Sequence, residues 1–235
     1  FTDQEWASDP DAVIAQVEKV LSYPVIVKPA DLGSSVGIAR ADNREALAEK
    51  ITEAAKYTTR LIVEHLVEQL KEINCSVLGT SDDYRTSVLE EPIKTGEILS
   101  YTDKYMGGSK GAKGMQASAK RIPAELDEDV TKRIQFLAGE TFRVLSCHGV
   151  ARVDLIIDDA NGLIYINEIN TIPGSLSFYL WEASGIKFSE LMSQLVSLAL
   201  KRARHQSQKI VSYDQNIFAL GGGTKGAKGA KGIKA

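Results

Sequence analysis

A chain of 235 residues with 43% hydrophobic and 25% charged residues has enough apolar content for one large domain or two small lobes with real cores. That balance excludes a disordered polymer, and a net charge of −3 argues against nucleic acid as a partner, because phosphate backbones are bound by basic faces. No apolar run approaches the roughly 18 residues a membrane span needs, and two cysteines, Cys75 and Cys147, are too few for a disulfide framework, so the chain reads as a cytoplasmic protein with reduced thiols.

The opening FTDQEWASDP has no signal-peptide pattern and starts on Phe1 rather than Met, as expected of a chain that begins inside a longer protein. Asp9-Pro10 predicts a helix start with Val13, Val17, Val20 and Leu21 facing inward. Tyr23 to Pro29 (YPVIVKP) predicts an apolar strand, ADLGSSVG a loop and VGIARA a returning strand. A helix is expected over Asp42 to Tyr57, with Asp42 and Glu45 spaced as a capping box. Strands follow at Arg60–Glu64, Glu72–Gly79 and Tyr84–Leu89, then a Gly- and Lys-rich loop from Leu99 to Ser118. Asp127 to Ser146 predicts a helix with Val130, Ile134, Leu137 and Ala138 inward. Gly149–Asp158 and Leu163–Asn170 predict a hairpin closed at Asn161-Gly162. A closing amphipathic helix spans Phe188 to Arg204, and GGGTKGAKGAKGIKA reads as a low-complexity tail. This alternation gives an α+β protein of two lobes: residues 1–66, residues 67–212, and a tail over 213–235.

The hairpin carries the chemistry. Residues two apart in a strand share a face, so Glu168 and Asn170 point together while Ile169 points away. The Asn161-Gly162 turn brings Asp154, on the partner strand, across from Glu168. Two carboxylates and an amide oxygen are a hard-oxygen cluster suited to Mg²⁺ at about 2.1 Å, with water and phosphate oxygens completing the sphere. Without a cation the facing carboxylates would repel and raise each other's pKa. Arg152 shares their face and either binds a substrate carboxylate and stabilises an oxyanion, or forms an ion pair with Asp154. Upstream, Lys28 sits in so apolar a strand that it needs a partner. It precedes GSSVG, Gly33 to Gly37, where small residues free backbone N–H groups for an anion. GSSVG alone reads first as an ordinary hairpin turn. With Lys28 and a downstream Mg²⁺ site it fits a triphosphate held from both sides.

Together VKPADLGSSVG, KEINCSVLG, ARVDLIID and INEINTIPGS resemble the D-alanine–D-alanine ligases of the ATP-grasp superfamily over residues 23–202. The resemblance implies two lobes with antiparallel sheets clamping ATP, two Mg²⁺ ions (or Mn²⁺), and D-alanine as substrate, for peptidoglycan synthesis. It implies that Lys28 contacts phosphate, Glu64 sits at the adenine hinge and Glu72 holds the ribose. Gly33, Ser34 and Ser35 would lie at the phosphates, with Ser34 also positioning substrate. Lys104 and Tyr105, in YTDKYM, would lie on a loop closing over the products, the adjoining Met106 to Gly111 forming its lid. Asp154, Glu168 and Asn170 would carry the metal. Arg152 and the Gly174 backbone would form the oxyanion and second-substrate site, with a hydroxyl from Ser177 or Tyr179. The family's first domain, with its own D-alanine site and dimer contact, has no counterpart in this sequence. Ser175 and Leu176 stand where the family has Phe-Thr, which leaves D-alanine, D-lactate and D-serine open as second substrate. A nucleotide-binding module without ligase activity and another ATP-grasp carboxylate–amine ligase are the alternatives.

Overall fold

The computed structural model describes residues 1–32, 36–93 and 120–209. Two short helices open the chain, α1 (Asp3–Ser8) and α2 (Pro10–Val20). The first was not anticipated. The capping box that builds it is nevertheless in the sequence: Thr2 and Glu5 cap each other's backbone and Trp6 is buried beneath them. In α2, Asp9 caps the helix and Pro10 takes its first turn; Val13 and Ile14 are buried, Val17 and Leu21 pack half-buried against the same core, and Val20 departs from the expected face at 79% exposed. Strands β1 (Val25–Pro29), β2 (Ala39–Ala41) and β3 (Leu61–His65) form an antiparallel sheet in the order β2-β1-β3. Helix α3 (Arg44–Ala54) is capped by Asn43, whose side chain accepts from Ala46 N at 2.9 Å. The expected cap, Asp42, instead accepts from Arg40 Nε at 2.7 Å. Val25 and Val27 pack with Trp6, Ile14, Leu47 and Ile51 in the first core.

The second sheet has the order β6-β5-β4-β7-β8, from β4 (Leu70–Gly79), β5 (Tyr84–Pro92), β6 (Lys120–Arg121), β7 (Gly149–Asp158) and β8 (Leu163–Asn170). Helix α4 (Glu128–Val144) lies on one face, its acidic first turn and Arg143 in the last turn complementing the dipole. Ile73, Cys75, Val77, Val153 and Leu155 alternate inward against Ile134, Ala138 and Phe142. After β8 comes a 3₁₀ turn (Gly174–Ser177), then α5 (Phe178–Ala183) and α6 (Phe188–Ser207). These cover the end of the opposite face, where Trp181, Ile186 and Leu191 pack on Leu78 and Val150. The centre of that face stays polar. Among the described residues no helix is long and apolar enough to cross a membrane.

Candidate functional site

Strand registry assembles the polar centre. Cross-strand partners point to the same side of a sheet. Asn74 pairs with Glu90 on one flank and with Asp154 on the other, and Asp154 pairs with Glu168. Four strands thus place Glu90, Asn74, Asp154 and Glu168 in one row, with Arg152 and Asn170 paired one step along. The expected hairpin cluster forms. Arg152 donates from Nε to Asp154 Oδ1 at 2.6 Å and from Nη2 to Oδ2 at 2.7 Å. Asn170 Nδ2 donates to Asp154 Oδ2 at 3.0 Å and to Glu168 Oε1 at 3.3 Å. Arg152 therefore makes the ion pair that was its second reading, and that contact holds the guanidinium protonated and its pKa above the usual range. Burial pushes the Asp154 carboxyl up, against the pull of Arg152.

A bound divalent cation needs oxygen lone pairs. Each carboxylate oxygen has two. Arg152 and Asn170 leave lone pairs open on Asp154, and Glu168 is exposed with a single long contact. Among the described residues no three His, Cys, Asp or Glu side chains form a metal-ready group. The hairpin offers two carboxylates and an amide, and its open hard oxygens fit Mg²⁺ or Mn²⁺. Asn170 would have to turn its amide oxygen to the ion.

Lys28, on β1, faces the same region and finds the partner its apolar strand requires. It pairs with Glu64 on β3 and donates to Asn167 Oδ1 on β8 at 3.0 Å. Glu64 is thus Lys28's ion-pair partner within the first sheet. Asn167 owes its direction to a bulge: register shifts between Asp154 and Leu155, so Asn167 stands outside the pairing between Glu168 and Ile166. Glu72 lies on the polar face of β4, near enough to Asp154 to raise its pKa.

The turn after β8 departs from ordinary backbone. Ser175, Leu176 and Ser177 have φ of 52°, 53° and 51°, three consecutive left-handed residues with side chains. Such strain is found where surrounding structure enforces it, commonly at ligand sites. Gly174 is exposed, and a Cβ there would meet no protein atom within 4 Å. Ser177 is fully buried, and its hydroxyl has no hydrogen-bond partner among the described residues. Tyr179 donates to Glu90 Oε2 at 2.8 Å, and burial beside that carboxylate pushes its phenol up to about 12. The Tyr179 hydroxyl is thus engaged, and the unpartnered Ser177 hydroxyl is enclosed. Glu90 itself, 5% exposed, escaped the sequence reading. The signal was a pair of acids ending an apolar strand, TSVLEEP. Gly33, Ser34, Ser35, Lys104 and Tyr105, with the lid segment 106–111 and the tail, lie outside the described residues. An open cavity of about 590 Å³ lined by Lys71, Glu125, Asp127 and Asp159 adjoins α4, on the face away from this cluster.

The D-ala D-ala ligase C-terminus family matches residues 1–197. The chain belongs to the D-alanine–D-alanine ligase family. It is 40% identical over 220 residues to the D-alanine–D-alanine ligase of Natranaerobius thermophilus, covering 92% of this chain and 58% of that protein. The ligase of Caldicellulosiruptor bescii is 40% identical over 215 residues, 90% of this chain and 56% of the relative. Among solved structures, the ligase from Coxiella burnetii superposes with a TM-score of 0.68 at 29% identity, over 85% of this chain and 51% of its own. The VanG D-Ala:D-Ser ligase from Enterococcus faecalis gives 0.69 at 30% identity, over 84% and 55%. The α+β fold is therefore that of the ATP-grasp ligases. The chain spans just over half the length of these relatives.

Proposed function

We propose that the chain is the nucleotide-binding and catalytic portion of a cytoplasmic ATP-dependent ligase that joins two D-alanines for peptidoglycan precursor synthesis. One observation supports this most: the Arg152–Asp154–Asn170–Glu168 cluster on the hairpin, with Lys28 reaching the same strand from the other sheet. An array of cations and carboxylates on two facing sheets is what positioning a triphosphate beside a carboxylate requires.

In this reading a D-alanine carboxylate oxygen attacks the γ-phosphorus of ATP and ADP leaves, giving an acyl phosphate. The amine of the second substrate then attacks the acyl carbon, a proton leaves the nitrogen, and phosphate departs. Lys28 exchanges Glu64 and Asn167 for phosphate oxygens and neutralises charge on the transferring group. Arg152, held rigid by Asp154, presents its remaining N–H groups to the oxyanion, and the exposed backbone at Gly174 completes that site. Glu72 serves the ribose. Asp154, Glu168 and Asn170 would hold Mg²⁺, which supplies charge neutralisation at phosphate oxygens when bound. The alternative is a nucleotide-binding module that turns over no D-alanine without a further domain, and the coverage of its relatives, 58% and 56%, favours testing it directly.

The test is D-alanine-dependent ADP release, with mass detection of the dipeptide, by the chain alone and with the N-terminal part of the Natranaerobius thermophilus relative added in trans. Mg²⁺-dependent ATP binding together with D-alanine-dependent ADP release in the complemented sample is expected. ATP binding with no response to D-alanine in either sample leaves only the nucleotide module. Absence of ATP binding ends both readings.

A further inference from the structure

Lys28, Arg152 and Lys120 each bring a cation to the facing surfaces, and they differ in how they are spent. Lys28 is engaged by Glu64 and Asn167, and Arg152 by both oxygens of Asp154. Lys120 lies opposite Pro92 at the sheet edge, on the same side as Glu90. Its ammonium is 3.8 Å from Glu90 Oε1, longer than a hydrogen bond, and 3.6 Å from the centroid of the Tyr179 ring. The side chain remains 43% exposed. Glu90 meanwhile is fixed by two neutral donors, the Tyr179 hydroxyl at 2.8 Å and Asn74 Nδ2 at 3.1 Å. The buried carboxylate thus locks the aromatic ring on which Lys120 rests. Its charge attracts the ammonium without taking up the donors of that ammonium.

A ligase acceptor presents two groups, an amine (or hydroxyl) that reacts and a carboxylate that must be held without reacting. The Ser177 hydroxyl is buried and that of Tyr179 is committed to Glu90. Resting on the ligase reading, we propose that Lys120, seated on the Tyr179 ring, binds the unreacted carboxylate of the acceptor amino or hydroxy acid. Glu90 and Tyr179 are positioning residues for it. The ammonium over an aromatic face keeps its three N–H donors, so a carboxylate can take two while the ring and Glu90 hold the cation in place.

The experiment is calorimetric titration of D-alanine into the 235-residue chain with Mg²⁺ and ADP present, for wild type, Lys120→Met, Lys120→Arg and Tyr179→Phe. Lys120→Met is expected to weaken D-alanine binding by about tenfold, Lys120→Arg to restore it to within about threefold, and Tyr179→Phe, which keeps the ring, to cost about threefold. ADP affinity should be unchanged across the set. A structural role for Lys120 would lower the melting temperature and leave D-alanine affinity alone, and that result overturns the proposal. Should Lys120→Met fail to fold through loss of charge beside Glu90, the Lys120→Met/Glu90→Gln pair removes both charges. Wild-type D-alanine affinity in the pair, or no saturable D-alanine binding by wild type, also overturns it. ADP release separates this from the ligase reading. D-alanine binding through Lys120 with no ADP release in the complemented sample contradicts the ligase and leaves the site standing. A chain that turns over with Lys120→Met affinity unchanged contradicts the site alone.

Discussion

The two sheets solve different problems. The three-stranded sheet buries one face on α1, α2 and α3 and keeps the other nearly bare, with Lys28 and Glu64 among apolar neighbours such as Ile62. The five-stranded sheet is packed on one face by α4 and partly on the other by α5 and α6, and it carries the polar row between. Burying ion pairs and amides costs free energy unless each is satisfied. That cost is placed on the sheet with two apolar clusters to offset it. The difference shows why a charged site can persist mid-sheet: Trp181, fully buried, donates to Ser76 Oγ at 3.0 Å and ends the row with a core residue.

The largest effect should come from breaking that support. Trp181→Ala is expected to cost about 4 kcal/mol by urea unfolding, through the cavity it leaves and the loss of its hydrogen bond to Ser76, whose hydroxyl keeps its bond to the Ala151 carbonyl at 3.0 Å, against about 3 kcal/mol for Leu47→Ala in the smaller sheet's core. A Trp181→Ala cost below about 1 kcal/mol would mean the second cluster does not carry the polar face.

Alkaline pH separates the sheets next. Burial pushes the Cys75 thiol up from 9.0 to about 12 in the larger sheet, and the Tyr179 phenol up from 10.0 to about 12. Burial and the hydrogen bond to Glu18 raise Tyr23, beside the smaller sheet, from 10.0 to about 12. In each case the folded pKa is raised, so the unfolded state loses its proton first and stability falls as pH climbs toward 12. The fall begins near pH 9 through Cys75 and steepens past 10 through the tyrosines. Cys75→Ala should remove the part between pH 9 and 10 in urea midpoints, and an unchanged slope would contradict it.

Nucleotide affinity sharpens the division of labour. Lys28→Ala is expected to weaken ATP binding about tenfold with or without Mg²⁺. Asp154→Ala should weaken it about tenfold with Mg²⁺ and leave the EDTA-treated affinity unchanged. Equal responses to metal from both variants would erase the distinction between the sheets.

The smallest effect concerns the strained turn. Ser175 is exposed with φ of 52°, where glycine carries no Cβ penalty. Ser175→Gly should raise stability by about 0.5 kcal/mol in thermal unfolding, and destabilisation would show that the left-handed turn costs nothing there.

How much of this was legible depends on the kind of signal. The hairpin ran Gly149–Asp158 and Leu163–Asn170, the ends expected, because strict alternation and an Asn-Gly turn leave little choice of register. The pairing of Asp154 with Glu168 followed directly. The α3 cap was displaced by one residue because Asp42 and Asn43 are both competent caps and only the Arg40 contact decides between them. Asn167 could not be read at all: alternation aims it away from Glu168, and the bulge that turns it to Lys28 has no signature in YINEIN. The left-handed run through Ser175, Leu176 and Ser177 contains no glycine, so nothing local announces it. Nor does Glu90's burial, which arises from Tyr179 and Asn74 arriving from distant segments.

The most direct test is a crystal grown with Mn²⁺ and ADP and read by the metal's anomalous signal. A peak is expected at about 2.1–2.3 Å from a carboxylate oxygen of Glu168, with the Asn170 amide turned to present its oxygen and Asp154 in contact directly or through water. A Mn²⁺ peak remote from the hairpin, with Asn170 still donating to both carboxylates, would contradict it.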